Sequence, residues 1–144
     1  MKEGNDDKNA VMVCVTRQKT CERLIRAGAD MAKKMDKNLI VAHAVYAYEN
    51  VMQSDNASEA MEMLYRVTNE HNGQMIVFQC EDKFSGLADC ATENHVDVMI
   101  LGSSPKYANQ VLSIMKEKLP TMSFIVLQAE QDAIFNPPHA VLEA

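Results

Sequence analysis

Ala10-Val-Met-Val-Cys-Val-Thr16, continued by Arg17-Gln18-Lys19-Thr20 and a long amphipathic run to Asp36, decides the fold. The residues from Ala10 to Val15 are all apolar and rich in Val, with no polar alternation. A strand covered on both faces reads this way, as in a parallel sheet. The following residues are polar, and Thr20 is placed to cap a helix. In that helix Cys21, Leu24, Ile25, Gly28, Met31, Ala32 and Met35 recur at helical spacing. Glu22, Arg23, Arg26, Asp30, Lys33 and Lys34 fall on the outer faces. Strand, polar turn and helix make the first half of a βαβ unit. In open α/β sheets the turn after the first strand is where ligands usually sit, at the carboxyl edge.

The rest of the chain repeats the pattern. Lys37-Asn38 turns into a second buried strand, Leu39-Ile-Val-Ala-His-Ala-Val45, and Tyr46 to Asp55 reads as a polar loop. A helix follows from about Ala57 to His71, with Ala60, Met61, Leu64 and Val67 as its stripe and Asn56 or Ser58 as its cap. Asn72-Gly73 suits the positive φ of a helix end. Gln74 to Gln79 is a third strand, and a third helix opens at Ser85 or Asp82 and runs to about Asn94, with Phe84, Leu87, Ala88 and Ala91 inward. Val96 to Leu101 is a fourth strand. Ser104 then precedes Pro105 as cap and first residue of a helix reaching Leu119, which carries Ala108, Val111, Leu112 and Met115 inward. Met122 to Leu127 is a fifth strand. Residues 1–9 read as a polar arm, 10–128 as the domain and 129–144 as a tail in which Asn136-Pro-Pro138 prevents regular structure. Strict β-α alternation predicts a three-layer α/β/α fold around a five-stranded parallel sheet.

Composition narrows the function classes. A chain of 144 residues, 47% hydrophobic and 24% charged, buries a core without disulfides or metal. A net charge of -6 and the lack of a basic block argue against nucleic acid as a partner. No apolar run approaches the ~20 residues of a membrane span. The first residues are polar and acidic rather than a signal peptide, so the expected location is cytoplasmic. In that setting Cys14, Cys21, Cys80 and Cys90 are expected as free thiols, having no C-x-x-C pair or ligand-like His spacing. Cys14 belongs to the strand core. Cys21 falls in a first helical turn, where the dipole favours a thiolate, yet its apolar face points to plain burial. The eleven methionines read as core filler.

Two groups of residues face the expected crevice. Thr16, Arg17, Gln18 and Thr20 are either ligand donors at a helix N-terminus that favours an anion, or a solvated loop with a cap. Gly102, Ser103, Ser104 and Lys106 form the other lip, where Ser104 doubles as a cap and Ser103 and Lys106 are able to meet a phosphate. His43, near the end of a buried strand, is either a hydrogen-bonded core residue or a ligand contact. His71, His95 and His139 share no metal-ligand spacing with it, and no metal site is expected. The acids Asp82, Asp89, Glu93 and Asp97 form no pair at a defensible spacing. No P-loop, nucleophile elbow or Ser-His-Asp set is legible, so the chain is expected not to be an enzyme.

From about Ala10 to Leu127 the chain resembles a universal stress protein (UspA-like) domain. Val13-Cys-Val-Thr-Arg-Gln-Lys-Thr-Cys-Glu-Arg-Leu-Ile-Arg-Ala-Gly-Ala29 is similar to the stress-protein-like domain of potassium-responsive sensor kinases of the KdpD type. Val98-Met-Ile-Leu-Gly-Ser-Ser104 resembles the group's strand ending in Leu-Gly-x-Ser. The resemblance implies strand order 3-2-1-4-5, a switch point between the first and fourth strands, and dimerisation through the fifth. The chain departs from the ATP-binding members of the group. Thr16 stands where they carry Asp at the end of the first strand. Gly102 begins their Gly-x-x-Gly loop, but Pro105 replaces its second Gly and no Gly follows. A phosphate-cradling loop needs glycines so that its amides turn inward. Sensor-kinase relatives that bind cyclic di-AMP use a Ser-x-Ser turn and a Phe-Thr-Ala-x-Tyr strand. By order and spacing, Thr16-Arg17-Gln18 and Leu39 to His43 occupy those places, with Arg17 adding a guanidinium for a phosphate.

The resulting expectation is a non-catalytic regulatory module of the stress-response type. Its crevice would take an adenine nucleotide or cyclic di-AMP among Thr16, Arg17, Gln18, His43, Gly102, Ser103, Ser104 and Lys106. The alternative is a ligand-free interaction module that dimerises through its fifth strand (Phe124-Ile-Val-Leu127) and the apolar tail residues Ile134, Phe135, Val141 and Leu142. A sensor kinase or transporter is the expected class of partner. A weak nucleotide hydrolase ranks last, for want of a positioned base or phosphate clamp.

Overall fold

A computed structural model describes residues 8–15, 21–46, 55–103 and 105–128. Strand β1 (Ala10–Cys14) is buried at every position, as its unbroken apolar run requires. Helix α1 (Glu22–Met35) lays Leu24, Ile25, Gly28, Ala29 and Ala32 onto the sheet. There follow β2 (Asn38–Tyr46), α2 (Asp55–Glu70), β3 (Gln74–Cys80), α3 (Lys83–Glu93), β4 (Val96–Ser103), α4 (Pro105–Lys118) and β5 (Ser123–Gln128). All pairings are parallel, in the order β3-β2-β1-β4-β5. The three-layer architecture and the 3-2-1-4-5 order therefore stand as expected.

The two faces of the sheet carry separate cores. Met12, Cys14, Ile40, Ala42, Met99 and Leu101 pack under α3 and α4 with Leu87, Ala91, Val111 and Met115. On the other face Val11, Val13, Leu39, Val41, Val98 and Ile100 meet Leu24, Ile25 and Ala29 of α1 and Leu64 and Val67 of α2. Burying a Leu or Ile of this kind contributes ~1.5–3 kcal/mol, so the paired cores are the main source of stability. Val96 and Val98 lie on opposite faces because the β1–β4 register shifts at Ala10/Val11. The bulge leaves Asp97 at the amino edge, where its Oδ2 accepts from Lys37 Nζ at 2.7 Å and Asn9 Nδ2 at 3.0 Å.

Several boundaries differ from the sequence reading, each for a local reason. Helix α2 is described from Asp55, so Asn56 and Ser58 lie within the helix and not before it. Of the two openings offered for α3, Asp82 is the cap: its Oδ1 accepts from Phe84 N at 3.1 Å, while Ser85 Oγ donates to Oδ2 at 2.8 Å. In the turn after α2 the left-handed residue is Asn72, with φ 59°. Gly73 serves closeness instead, since a Cβ there would stand 2.8 Å from Leu39 Cδ2. His95 takes a left-handed conformation in the turn just before β4, which starts at Val96 as expected. Met35, expected inward, is 45% exposed because α1 ends there and Asp36 turns left-handed. Lys83 departs most from a reading by polarity, being 1% exposed at the first position of α3. Its spacing to Leu87 and Cys90 was the legible sign, placing it on the buried stripe.

Candidate functional site

Parallel order with β1 and β4 at the centre puts the switch point at their carboxyl ends, where the connections lead to opposite faces of the sheet. The last fully paired row there is Ala42–Cys14–Leu101. One residue further come His43, Val15 and Gly102, so two of the expected site residues share a row across three adjacent strands. Val15 N still donates to Ala42 O at 2.9 Å.

His43 is 1% exposed and its Nδ1 lies 3.0 Å from Val15 O. A carbonyl oxygen only accepts, so Nδ1 carries a proton and donates. The imidazole thereby fixes the backbone at the last residue before the first turn. The core reading of His43 stands: it is a buried, hydrogen-bonded residue whose bond also ties β2 to the last described residue before the first turn.

Gly102 belongs to β4, opposite Leu127 of β5, and not to a loop. No glycine among the described residues has positive φ. Its lack of a side chain lets α1 pack close: a Cβ would stand 2.7 Å from Leu24 Cδ1, which would have to turn aside. Leu24 therefore closes the α1 side of the row. Ser103 ends β4 opposite Gln128, and Lys106 lies in the first turn of α4. Both are thus held at the same edge by their backbones. Thr16, Arg17, Gln18, Thr20 and Ser104 lie outside the described residues, as does the tail with Ile134, Phe135, Val141 and Leu142.

The cysteines near this row are core groups. Burial, helped by the neighbouring Cys90, pushes the Cys14 thiol far up. Burial also raises Cys90, with the Glu93 charge adding to it and the Asn94 amide opposing. Cys21 is 2% exposed. All four cysteines are free thiols. Among the described residues no cluster of three His, Cys, Asp or Glu side chains is arranged to hold a metal ion. No described helix is long and apolar enough to cross a membrane.

Two open grooves lie at the opposite, amino edge of the sheet. One of about 590 Å³ is lined by Asn38, Tyr65, Asn69, Gln74 and His95 among others, and one of about 680 Å³ by Lys33, Lys37, Glu70 and His71. Their polar residues largely serve turns and surface contacts. Arg26 Nη1 lies 3.4 Å from His71 Nε2, and Lys37 is engaged by Asp97. Neither groove was legible in the sequence, because it is built by helix ends far apart in the chain.

No protein-family model matches the chain, and no curated protein matches it in sequence. Solved structures do share its fold. A universal stress protein from Archaeoglobus fulgidus matches with a TM-score of 0.60 at 16% identity, over 85% of this chain and 93% of that one. A universal stress protein in complex with cAMP matches with a TM-score of 0.59 at 14% identity, over 85% and 99%. A universal stress protein from Archaeoglobus fulgidus in complex with dAMP gives 0.54 at 14% identity, over 85% and 98%. The chain thus has the universal-stress-protein fold.

Proposed function

We propose that this chain is a non-catalytic regulatory module of the universal stress protein type, which senses an adenine nucleotide or a cyclic dinucleotide at the carboxyl edge between β1 and β4. The observation that carries the reading is the row His43–Val15–Gly102 at the switch point of a 3-2-1-4-5 sheet, with Nδ1 of His43 on the Val15 carbonyl. Two proteins of the same fold bind an adenine nucleotide, cAMP in one and dAMP in the other. In this reading Thr16, Arg17 and Gln18 form one lip, with His43 fixing the backbone beside it. Gly102, Ser103, Ser104 and Lys106 form the other. Arg17 and Lys106 supply the positive charge a phosphate requires, on a chain whose net charge is -6. Pro105 in place of a loop glycine favours a monophosphate or cyclic phosphodiester over a triphosphate, because fewer amides can turn inward. The KdpD-like run from Val13 to Ala29 suggests a cytoplasmic setting with a sensor kinase or transporter as partner.

Titration calorimetry against cAMP, AMP, ATP, cyclic di-AMP and cyclic di-GMP tests the reading. Saturable binding of one adenine compound is expected, and a Thr16/Arg17/Ser103 triple alanine variant should lose it. Unchanged affinity in that variant would remove the site.

A second reading, a ligand-free dimer through β5, is favoured by the strand itself. Phe124 to Leu127 are all apolar, each is only partly buried, and among the described residues β5 ends the sheet. A Val126→Lys variant that stays as dimeric as the wild type would dismiss it.

A further inference from the structure

The large apolar side chains left exposed among the described residues are Met35, Tyr65 and Val77. Two of these lie along one margin of the molecule. Val77, 47% exposed, is the central residue of β3. Tyr65, 57% exposed, projects from α2 into the groove that Gln74 and Met75 of β3 also line. β3 ends the sheet: it pairs with β2 on one side, and among the described residues no strand meets the other. Backbone groups alternate in direction along a strand, so about half of those in β3 point away from β2.

Edge strands are usually guarded by charge, proline, a bulge or shortness. Gln74-Met-Ile-Val-Phe-Gln-Cys80 contains no charged residue and no proline. It is seven residues long and pairs with β2 without a register shift. In length it spans about 23 Å, enough for a full strand pairing.

We infer that this edge is an interface between two copies of the chain, formed by antiparallel pairing of β3 with β3 about a twofold axis through Val77. A continuous sheet requires that each face meet the same face of the other copy, so the axis stands perpendicular to the sheet and opposed residues share parity. Val77 then lies opposite itself, Ile76 opposite Phe78, Met75 opposite Gln79, and Gln74 opposite Cys80. Ile76 and Phe78 already pack under the α3/α4 side, and their pairing extends that core across the junction. Val77 with its copy covers the exposed apolar surface on the α1/α2 side. Beyond the strand, Glu81 comes opposite Gly73 and Asp82 opposite Asn72. No like charges are opposed in this register, although each copy carries -6. This charge-free self-complementarity is what selects a second copy over a foreign strand. The interface is separate from the crevice and lies at the far end of the sheet from β5.

Sedimentation velocity over a micromolar to near-millimolar concentration series tests the inference on the full chain, in three forms: wild type, Val77→Lys and Ser123→Lys. The wild type should approach twice the 16.1 kDa of one chain. Val77→Lys places a gatekeeper charge at an exposed position and should remain at one chain's mass, with wild-type circular dichroism and melting temperature. Ser123→Lys, on the β5 edge, should dimerise as the wild type does. Amide exchange from Gln74 to Cys80 should slow with concentration in the wild type and not in Val77→Lys. A wild type that stays monomeric throughout overturns the inference and leaves the edge to a foreign strand. A dimer that survives Val77→Lys, or that only Ser123→Lys abolishes, overturns it equally.

Discussion

Glycine does different work at two positions in this protein, and the difference is measurable. A Cβ at Gly28 would run into Cγ2 of Val13, a β-branched side chain held in the middle of the central strand. A Cβ at Gly102 meets the end of Leu24, whose methyls can turn away. Gly28→Ala gains about 1 kcal/mol of helix propensity but incurs ~1–3 kcal/mol of overpacking against a partner that cannot yield. It should lose stability in urea denaturation, and more of it than Gly102→Ala. His43→Leu keeps the volume but removes the donor to Val15 O, and should cost about 1–3 kcal/mol by the same measurement. The raised thiols set an alkaline limit. Cys14 and Cys90 stay protonated in the folded chain to higher pH than the ordinary value of 9.0. Above that pH the unfolded chain holds fewer protons than the folded one, so stability falls as pH rises. Urea midpoints should be flat from pH 7 to 8 as far as these groups are concerned and decline above about pH 9, and Cys14→Ala/Cys90→Ala should decline less.

Among the elements, α3 shows how one residue sets a boundary. Asp82 accepts from Ser85 Oγ and from Phe84 N at the helix start. The Ser85 side-chain bond is the main reason that its carboxyl is held below the usual value of 3.8, with backbone bonds and Lys118 also lowering it against a small desolvation penalty. A depressed carboxylate contributes stability above the unfolded pKa and loses it as pH falls through the folded one. Asp82→Ala should cost about 1 kcal/mol at neutral pH, and Asp82→Asn much less, since the amide oxygen still caps. The advantage of the native carboxylate over the amide of Asp82→Asn should begin to shrink as pH falls to about 4 and be lost at lower pH, which thermal melts across pH 2 to 7 would reveal. The same helix carries Lys83 inward, which a reading by polarity alone would place outside. Spacing and chemistry disagreed there, and spacing won.

For the molecule as a whole, the 3-2-1-4-5 order offers three surfaces to test: the carboxyl edge between β1 and β4, and the margins at β5 and β3, which no further strand covers among the described residues. A nucleotide that binds only the folded chain at 100 times its dissociation constant adds about 2.7 kcal/mol, on the order of 8 °C in melting temperature for a domain of this size. A cAMP, AMP or cyclic di-AMP titration followed by melting should reach that shift. No shift with any adenine compound would leave the two margins as the working surfaces.

The sequence by itself determined the element order, the parallel sheet and the buried faces, because β1, β2 and β4 are apolar on both sides and the helices carry their stripes at 3.6 spacing. It also placed His43 and Gly102 toward the carboxyl ends of β2 and β4, since position within a strand follows from counting. Only the tertiary structure decided what those residues do: that His43 donates to Val15 O, that Gly102 yields to Leu24, and that Asp97 sits in a bulge held by Lys37. Each of these is a contact between segments tens of residues apart. Local periodicity reports which way a side chain faces, whereas the partner it meets is set by how the layers close around the sheet.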